Sequence, residues 1–188
     1  MDISLFKSYF SNLEKCLDTT EITGITNREL SFDSAATILF SICKTNKPNG
    51  KLIFIGNGGS AAIASHMALD WNKAGGVRAT ALNDPVALTA YGNDCGFNHV
   101  FSGQLYNNIN VQDILIAISS SGESKDILNA VEYADAYVVT FSGFSPLNTL
   151  RKKGHLNFYV PSHQYGFVEV AHLTILHALL DIYNGTWK

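Results

Sequence analysis

Apolar residues recur at three- and four-residue steps through the first part of the chain. Phe6, Tyr9, Phe10, Leu13 and Leu17 predict an amphipathic helix over residues 2–20. Ala36, Ile38, Leu39, Ile42 and Cys43 predict a second over about 29–45, with Asn27 and Asp33 as start signals and Asn46 to Gly50 as a loop. Beyond residue 50 the rhythm changes. Short apolar or β-branched runs at Lys51–Ile55, Arg78–Leu82, Ile114–Ile118, Tyr137–Phe141 and Leu156–Val160 predict strands. Helical spacing fills about 60–73, 85–91, 98–108, 123–134, 145–152 and 167–183 between and after them. Such alternation predicts an α/β fold, a parallel sheet with helices on both faces. No internal repeat or linker divides the chain, so a single domain over 1–188 is expected, helical to about 48 and α/β from about 49. The two N-terminal helices need an apolar partner, either the domain's own sheet or a neighbouring subunit.

Two strand ends carry candidate chemistry. The run Ile53-Phe54-Ile55 breaks into Gly56-Asn57-Gly58-Gly59-Ser60, and a helix follows. A glycine turn at a helix start exposes backbone N–H groups and the positive end of the helix dipole, which suits an anion. His66 and Asp70, one turn apart, share a face of that helix. The second strand end is Ser119-Ser120-Ser121-Gly122-Glu123-Ser124, whose hydroxyls and N–H groups can wrap a phosphate without a fixed positive charge. In an open parallel sheet ligands collect beyond the carboxyl ends of the strands, so both loops can close on one ligand.

Composition narrows the classes. At 188 residues, 46% hydrophobic and 15% charged, the chain has little charged surface to spare, a hint of burial in an oligomer. A net charge of −3 and no Lys/Arg cluster leave no footprint for nucleic acid. Cys16, Cys43 and Cys95, an odd count without CxxC spacing, fit reduced thiols in the cytoplasm. The first residues lack a signal-peptide pattern, and no apolar run approaches the roughly 20 residues that span a bilayer.

At the two loops the sequence is similar to the sugar isomerase (SIS) domain family, and within it to phosphoheptose isomerases, which interconvert sedoheptulose 7-phosphate and D-glycero-D-manno-heptose 7-phosphate. Tyr91-Gly92-Asn93-Asp94-Cys95-Gly96-Phe97-Asn98 and Val160-Pro161-Ser162-His163 extend the resemblance over about residues 1–185. It implies a parallel five-stranded sheet preceded by two helices, and a homotetramer with active sites at subunit interfaces. It implies phosphate contacts from Ser119, Ser120, Ser121 and Ser124, with Asn57, Gly58, Gly59, Ser60, Asn93 and Asp94 around the sugar. It also implies a divalent metal, usually zinc, at His66, Asp70, Glu169 and His177. Two of these four depart from the family, which has Glu where this chain has Asp70 and Gln where it has Glu169. Glu169 and His177 are eight residues apart, about 12 Å along a helix, unless the site is shared between subunits.

Three functional readings follow. The first is an aldose–ketose isomerase of a sugar phosphate, with Asp70 or Glu169 as base and His177 as partner acid, through an enediol. The second is a protein-binding module like the DnaA initiator-associating protein, which resembles these enzymes but lacks the carboxylate and final His that Asp70 and His177 supply here. The third is an isomerase of another phosphosugar in surface-polysaccharide synthesis. Blander alternatives stand beside single residues: His66 and Asp70 as a helix-surface pair, the serines as helix caps, His177 as a core histidine. His163 and His172 are expected to pack or cap, and Phe6, Tyr9 and Phe10 to serve core or interface.

Overall fold

The computed structural model describes residues 3–46 and 48–187, so the predicted helix start at Asp2, loop residue Lys47 and the terminal Met1 and Lys188 lie outside them. Helix α1 (Ile3–Asp18) and helix α2 (Phe32–Asn46) flank strand β1 (Glu21–Gly24). Strands β2 (Leu52–Gly56), β3 (Ala79–Ala81), β4 (Ile114–Ser119), β5 (Tyr137–Ser142) and β6 (Leu156–Tyr159) then alternate with helices α3 (Gly59–Lys73), α4 (Pro85–Asp94), the short α5 (Ser102–Leu105) and α6 (Lys125–Tyr133). Helix α7 (Tyr165–Asn184) closes the chain.

One six-stranded sheet results, in the order β1-β6-β5-β4-β2-β3. Five strands are parallel, as the alternation predicts. The sixth, β1, is an addition to the expected five: it pairs antiparallel with β6, Glu21 opposite Tyr159 and Gly24 opposite Leu156. Two predicted helices are also shorter than their spacing suggests. The 98–108 stretch yields a 3-10 turn at Phe97–His99 and four-residue α5, and 145–152 only the 3-10 turn Leu150–Lys152.

Strand alternation sends side chains to two cores. Leu52, Phe54, Ile114, Ile116 and Ile118 face α2, α3 and α7, where Met67, Trp71, Ile175 and Leu179 meet them. Ile53, Ile55, Leu115 and Ala117 face α5 and α6, meeting Leu105, Ile127, Ala130 and Val131. Both faces of the central strands are covered, which explains their unbroken apolar runs. α7 alone among the described helices is long and apolar enough, by length and composition, to cross a bilayer, but much of it is buried against the sheet. By contrast α1 is covered on one side only. Tyr9 packs on Phe167 of α7 at a centroid distance of 4.6 Å and Leu17 on the core, whereas Leu5, Phe6 and Phe10 are about 60% exposed (64%, 59% and 61%), so that part of the helix lacks a partner among the described residues.

Candidate active site

The site begins with the turn after β2. Gly58 stands at φ +55, a region open to glycine at little cost, and caps α3 from there. Gly59 has a different reason. A Cβ there would lie 2.6 Å from Glu169 Oε1, so only a hydrogen lets the α7 carboxylate rest on the start of α3. Asn57 donates from Nδ2 to Asp126 Oδ2 at 2.8 Å, tying this turn to the first turn of α6. Asp126 is buried, and nothing in the sequence marked it beyond an acidic residue near a helix start.

The serine loop folds onto itself. The Gly122 N–H donates to the Ser119 carbonyl at 3.0 Å and to Ser119 Oγ at 3.2 Å, and Ser119 Oγ donates to Ser124 Oγ at 3.2 Å. The Glu123 carboxylate accepts from the Thr149 N–H at 2.7 Å and its hydroxyl at 2.9 Å, pinning the loop's far end. Ser120 Oγ is buried with no hydrogen-bond partner. A buried hydroxyl without a partner is costly and calls for a ligand.

Between the loops lies a cavity of about 240 Å³, lined by Asn57, Gly58, Gly59, Ser60, Ile118, the serines 119–121 and 124, Tyr165 and Glu169. That is below the roughly 300–1,000 Å³ of drug-sized sites, a volume for a phosphate and the adjoining part of a small ligand. Three helices, α3, α6 and α7, start at this lining, so three positive dipole ends converge on it. No Lys or Arg lines it; the charge it holds is the Glu169 carboxylate.

A second cluster sits along the same two helices. Gly59 meets Glu169, and His66 Nε2 lies 3.1 Å from His177 Nε2, so α3 and α7 run side by side in one direction. From Gly59 to His66 is seven residues, about 10 Å of helix. His66 Nε2 is also 3.4 Å from Asp70 Oδ2, and the three donor atoms lie within 4.8 Å of one another. Donors about 2.05 Å from a tetrahedral ion stand about 3.3 Å apart, so two imidazoles and a carboxylate at these spacings fit a divalent cation with a fourth position open. Glu169 is not in this group; within one chain it belongs to the cavity. Asn93 and Asp94, at the end of α4, are exposed and bonded to each other at 2.8 Å, away from the cavity lining.

Comparison with known proteins decides the family. Residues 8–143 match the SIS domain. Phosphoheptose isomerase 1 of Campylobacter jejuni is 36% identical over 154 residues, 78% of this chain and 83% of that protein. The chain belongs to the SIS-domain phosphoheptose isomerase family. A Bradyrhizobium phosphoheptose isomerase is 37% identical over 157 residues, 79% of each chain. Solved phosphoheptose isomerases from Neisseria gonorrhoeae (TM-score 0.79, 27% identity, 97% of this chain and 98% of that one) and Francisella tularensis (TM-score 0.81, 26%, 98% and 99%) share the fold throughout.

Within this SIS domain His172 and His163 both make the packing contacts expected of them. His172 is fully buried, its Nε2 3.1 Å from the Ser142 carbonyl, and burial pulls its pKa down to about 4, so it packs as a neutral ring. His163 stacks on Phe144 at a centroid distance of 6.1 Å. Tyr165 was not foreseen as a site residue; it is the first residue of α7 and lines the cavity one turn before Glu169. A Tyr within an apolar stretch carries no motif, so only the fold brings it forward.

Proposed function

We propose that this chain is a phosphosugar aldose–ketose isomerase acting on sedoheptulose 7-phosphate. The observation that carries the reading is the pairing, on α3 and α7, of a neutral anion cradle with a His66–Asp70–His177 cluster about 10 Å farther along. From the phosphorus to C2 of an open-chain heptose 7-phosphate is seven bonds, about 9 Å at the ~3.8 Å per three bonds of an extended chain. A phosphate in the cavity at the start of α3 would on this length bring C1 and C2 to the level of the cluster. A triose or tetrose phosphate would fall short.

In this reading the hydroxyls of Ser119, Ser120, Ser121 and Ser124 and the helix N-termini hold the phosphate. Asn57, Gly58, Gly59, Ser60 and Glu169 line the path of the sugar. Asp70 removes a proton from C1, next to the C2 carbonyl, while His177 gives a proton to the carbonyl oxygen, leaving the enediol. Return of a proton to C2 and loss of the O1 proton complete the aldose. The same His66, Asp70 and His177 would hold a divalent ion, most simply zinc; with the ion bound, His177 Nε2 would be a ligand and carry no proton, and the ion would supply the charge stabilisation of the developing enediolate in its place. The exposed apolar face of α1 supports a homotetramer, in which Asn93 and Asp94 reach a neighbour's sugar. Three free cysteines support a reducing cytoplasm.

The test is His177→Ala assayed by solvent proton exchange with a panel of C5 to C7 sugar phosphates in deuterated water. Wild type should exchange fastest with the C7 ketose, and the variant should lose exchange while keeping its circular dichroism. Unchanged turnover in the variant removes the assignment. The protein-binding alternative predicts no exchange with any sugar and no stoichiometric metal in wild type.

A further inference from the structure

We propose that Tyr165 is a phosphate-binding residue, donating a hydrogen bond from its hydroxyl to the substrate phosphate, and that Phe144 positions it. The inference rests on the phosphosugar reading above and names a residue of that same site.

Four observations converge. First, Tyr165 and Glu169 stand one turn apart on α7, and both line the cavity, so they share the face that looks into it. Second, they take opposite ends. Glu169 rests on Gly59, whereas Tyr165 stacks edge-on against Phe144 at a centroid distance of 4.8 Å. Phe144 follows Gly143, where a Cβ would lie 3.1 Å from the Ser120 carbonyl. Tyr165 therefore stands at the serine-loop end, where the phosphate binds. Third, the lining holds a carboxylate and no cation. Phosphate binding there depends on the number of neutral donors, and a Tyr hydroxyl is one more.

The fourth observation is backbone strain. Phe144 has φ +55, a left-handed conformation that a residue with a Cβ adopts at a cost. Glycine would hold the same turn without strain. The conformation is fastened on both sides: the Phe144 N–H donates to the Ser162 carbonyl at 2.9 Å, and its carbonyl accepts from the Tyr159 hydroxyl at 3.0 Å. Its ring is held between His163 and Tyr165. The strained residue thus supports the side chain that faces the ligand. Tyr165 itself is 61% exposed, leaving room for a ligand against it.

The experiment measures inorganic phosphate binding by titration calorimetry and sedoheptulose 7-phosphate turnover. It compares wild type, Tyr165→Phe, Phe144→Gly and the double variant. Tyr165→Phe removes one hydroxyl from an exposed side chain and should weaken phosphate about tenfold, the effect of one hydrogen bond to an anion. It should raise KM by a similar factor with kcat within about twofold, because the lost contact is equal in ground and transition states. Phe144→Gly, unstrained at its φ, should weaken phosphate in the wild-type background and have no further effect beside Tyr165→Phe. Phosphate affinity within twofold of wild type in Tyr165→Phe overturns the proposal, and additive losses in the double variant overturn the role of Phe144. Failure of wild type to bind phosphate or turn over the sugar would instead count against the phosphosugar reading itself.

Discussion

Replacing Gly59 by alanine should separate stability from activity. The new Cβ would stand 2.5 Å from Glu169 Cδ with both carboxylate oxygens about as close, and ordinary van der Waals contact begins near 3.4 Å, so the carboxylate must retreat by about 1 Å. The obstacle is the far end of a flexible side chain, which can move without disturbing the α3–α7 packing. Alanine is the better helix former by up to about 1 kcal/mol. For a domain of this size that corresponds to an unchanged melting temperature or a gain of at most about 2–4 °C. The site has no such tolerance. A misplacement near 1 Å of a group that positions substrate costs on the order of 100-fold in rate. The assay is paired: thermal unfolding by circular dichroism, and kcat on sedoheptulose 7-phosphate. Gly59→Ala should melt at or above the wild-type temperature and turn over about 100-fold more slowly. Turnover within threefold of wild type would refute a working role for the Glu169 position; a melting temperature lowered by more than about 4 °C would refute the claim that the carboxylate yields alone.

Three further outcomes follow from the same structure. Ser120→Ala deletes a buried hydroxyl that lacks a partner, so unliganded stability should hold or rise while phosphate affinity falls about tenfold; an equal affinity would remove Ser120 from the cradle. His172, held neutral with its pKa near 4 against 6.5 unfolded, is protonated in the unfolded chain first. Its contribution is complete above pH 6.5 and is lost as pH falls toward 4, up to about 3 kcal/mol, so denaturant titrations should show wild type losing that much more than His172→Gln over this window, and parallel profiles would contradict it. Phe6→Glu with Phe10→Glu on α1 should yield smaller species than wild type in sedimentation velocity, and an unchanged assembly would exclude that face as an interface.

Chemistry written locally in the chain was legible there. Each anion loop is one strand–loop–helix unit, so Asn57 to Ser60 and Ser119 to Ser124 declare themselves within a dozen residues, and His66 with Asp70 follows from helical spacing. What local spacing does not show depends on the fold. His177, joined to His66 beforehand by the family resemblance alone, reaches it across 111 positions, and Asn57 reaches Asp126, which carried no signal, across 69. Strand β1 is four residues long and takes its conformation from pairing with β6, a tertiary effect that outweighs weak local preference. The stretch around Pro146 has helical spacing, but Pro removes a donor, and Asn148 bonds Ser142, Gly143 and Ser145 instead, making a turn. Tyr165 reads as one more aromatic until Phe144 and the serine loop are placed beside it.

Helix α7 carries Tyr165, Glu169 and His177 on one unbroken stretch of backbone, and this limits how such a protein can change over generations. A single-residue insertion between Glu169 and His177 turns everything after it by about 100° and lifts it 1.5 Å. His177 would leave His66 and face another way. Loops away from the site have no such constraint, but along α7 only insertions close to whole turns restore the face, seven residues being the shortest that comes within about 20°, and that lengthens the span by about 10 Å. Descendants that take a shorter or longer sugar must therefore do so by exchanging side chains at the two ends, since the spacing between the ends is inherited as a unit.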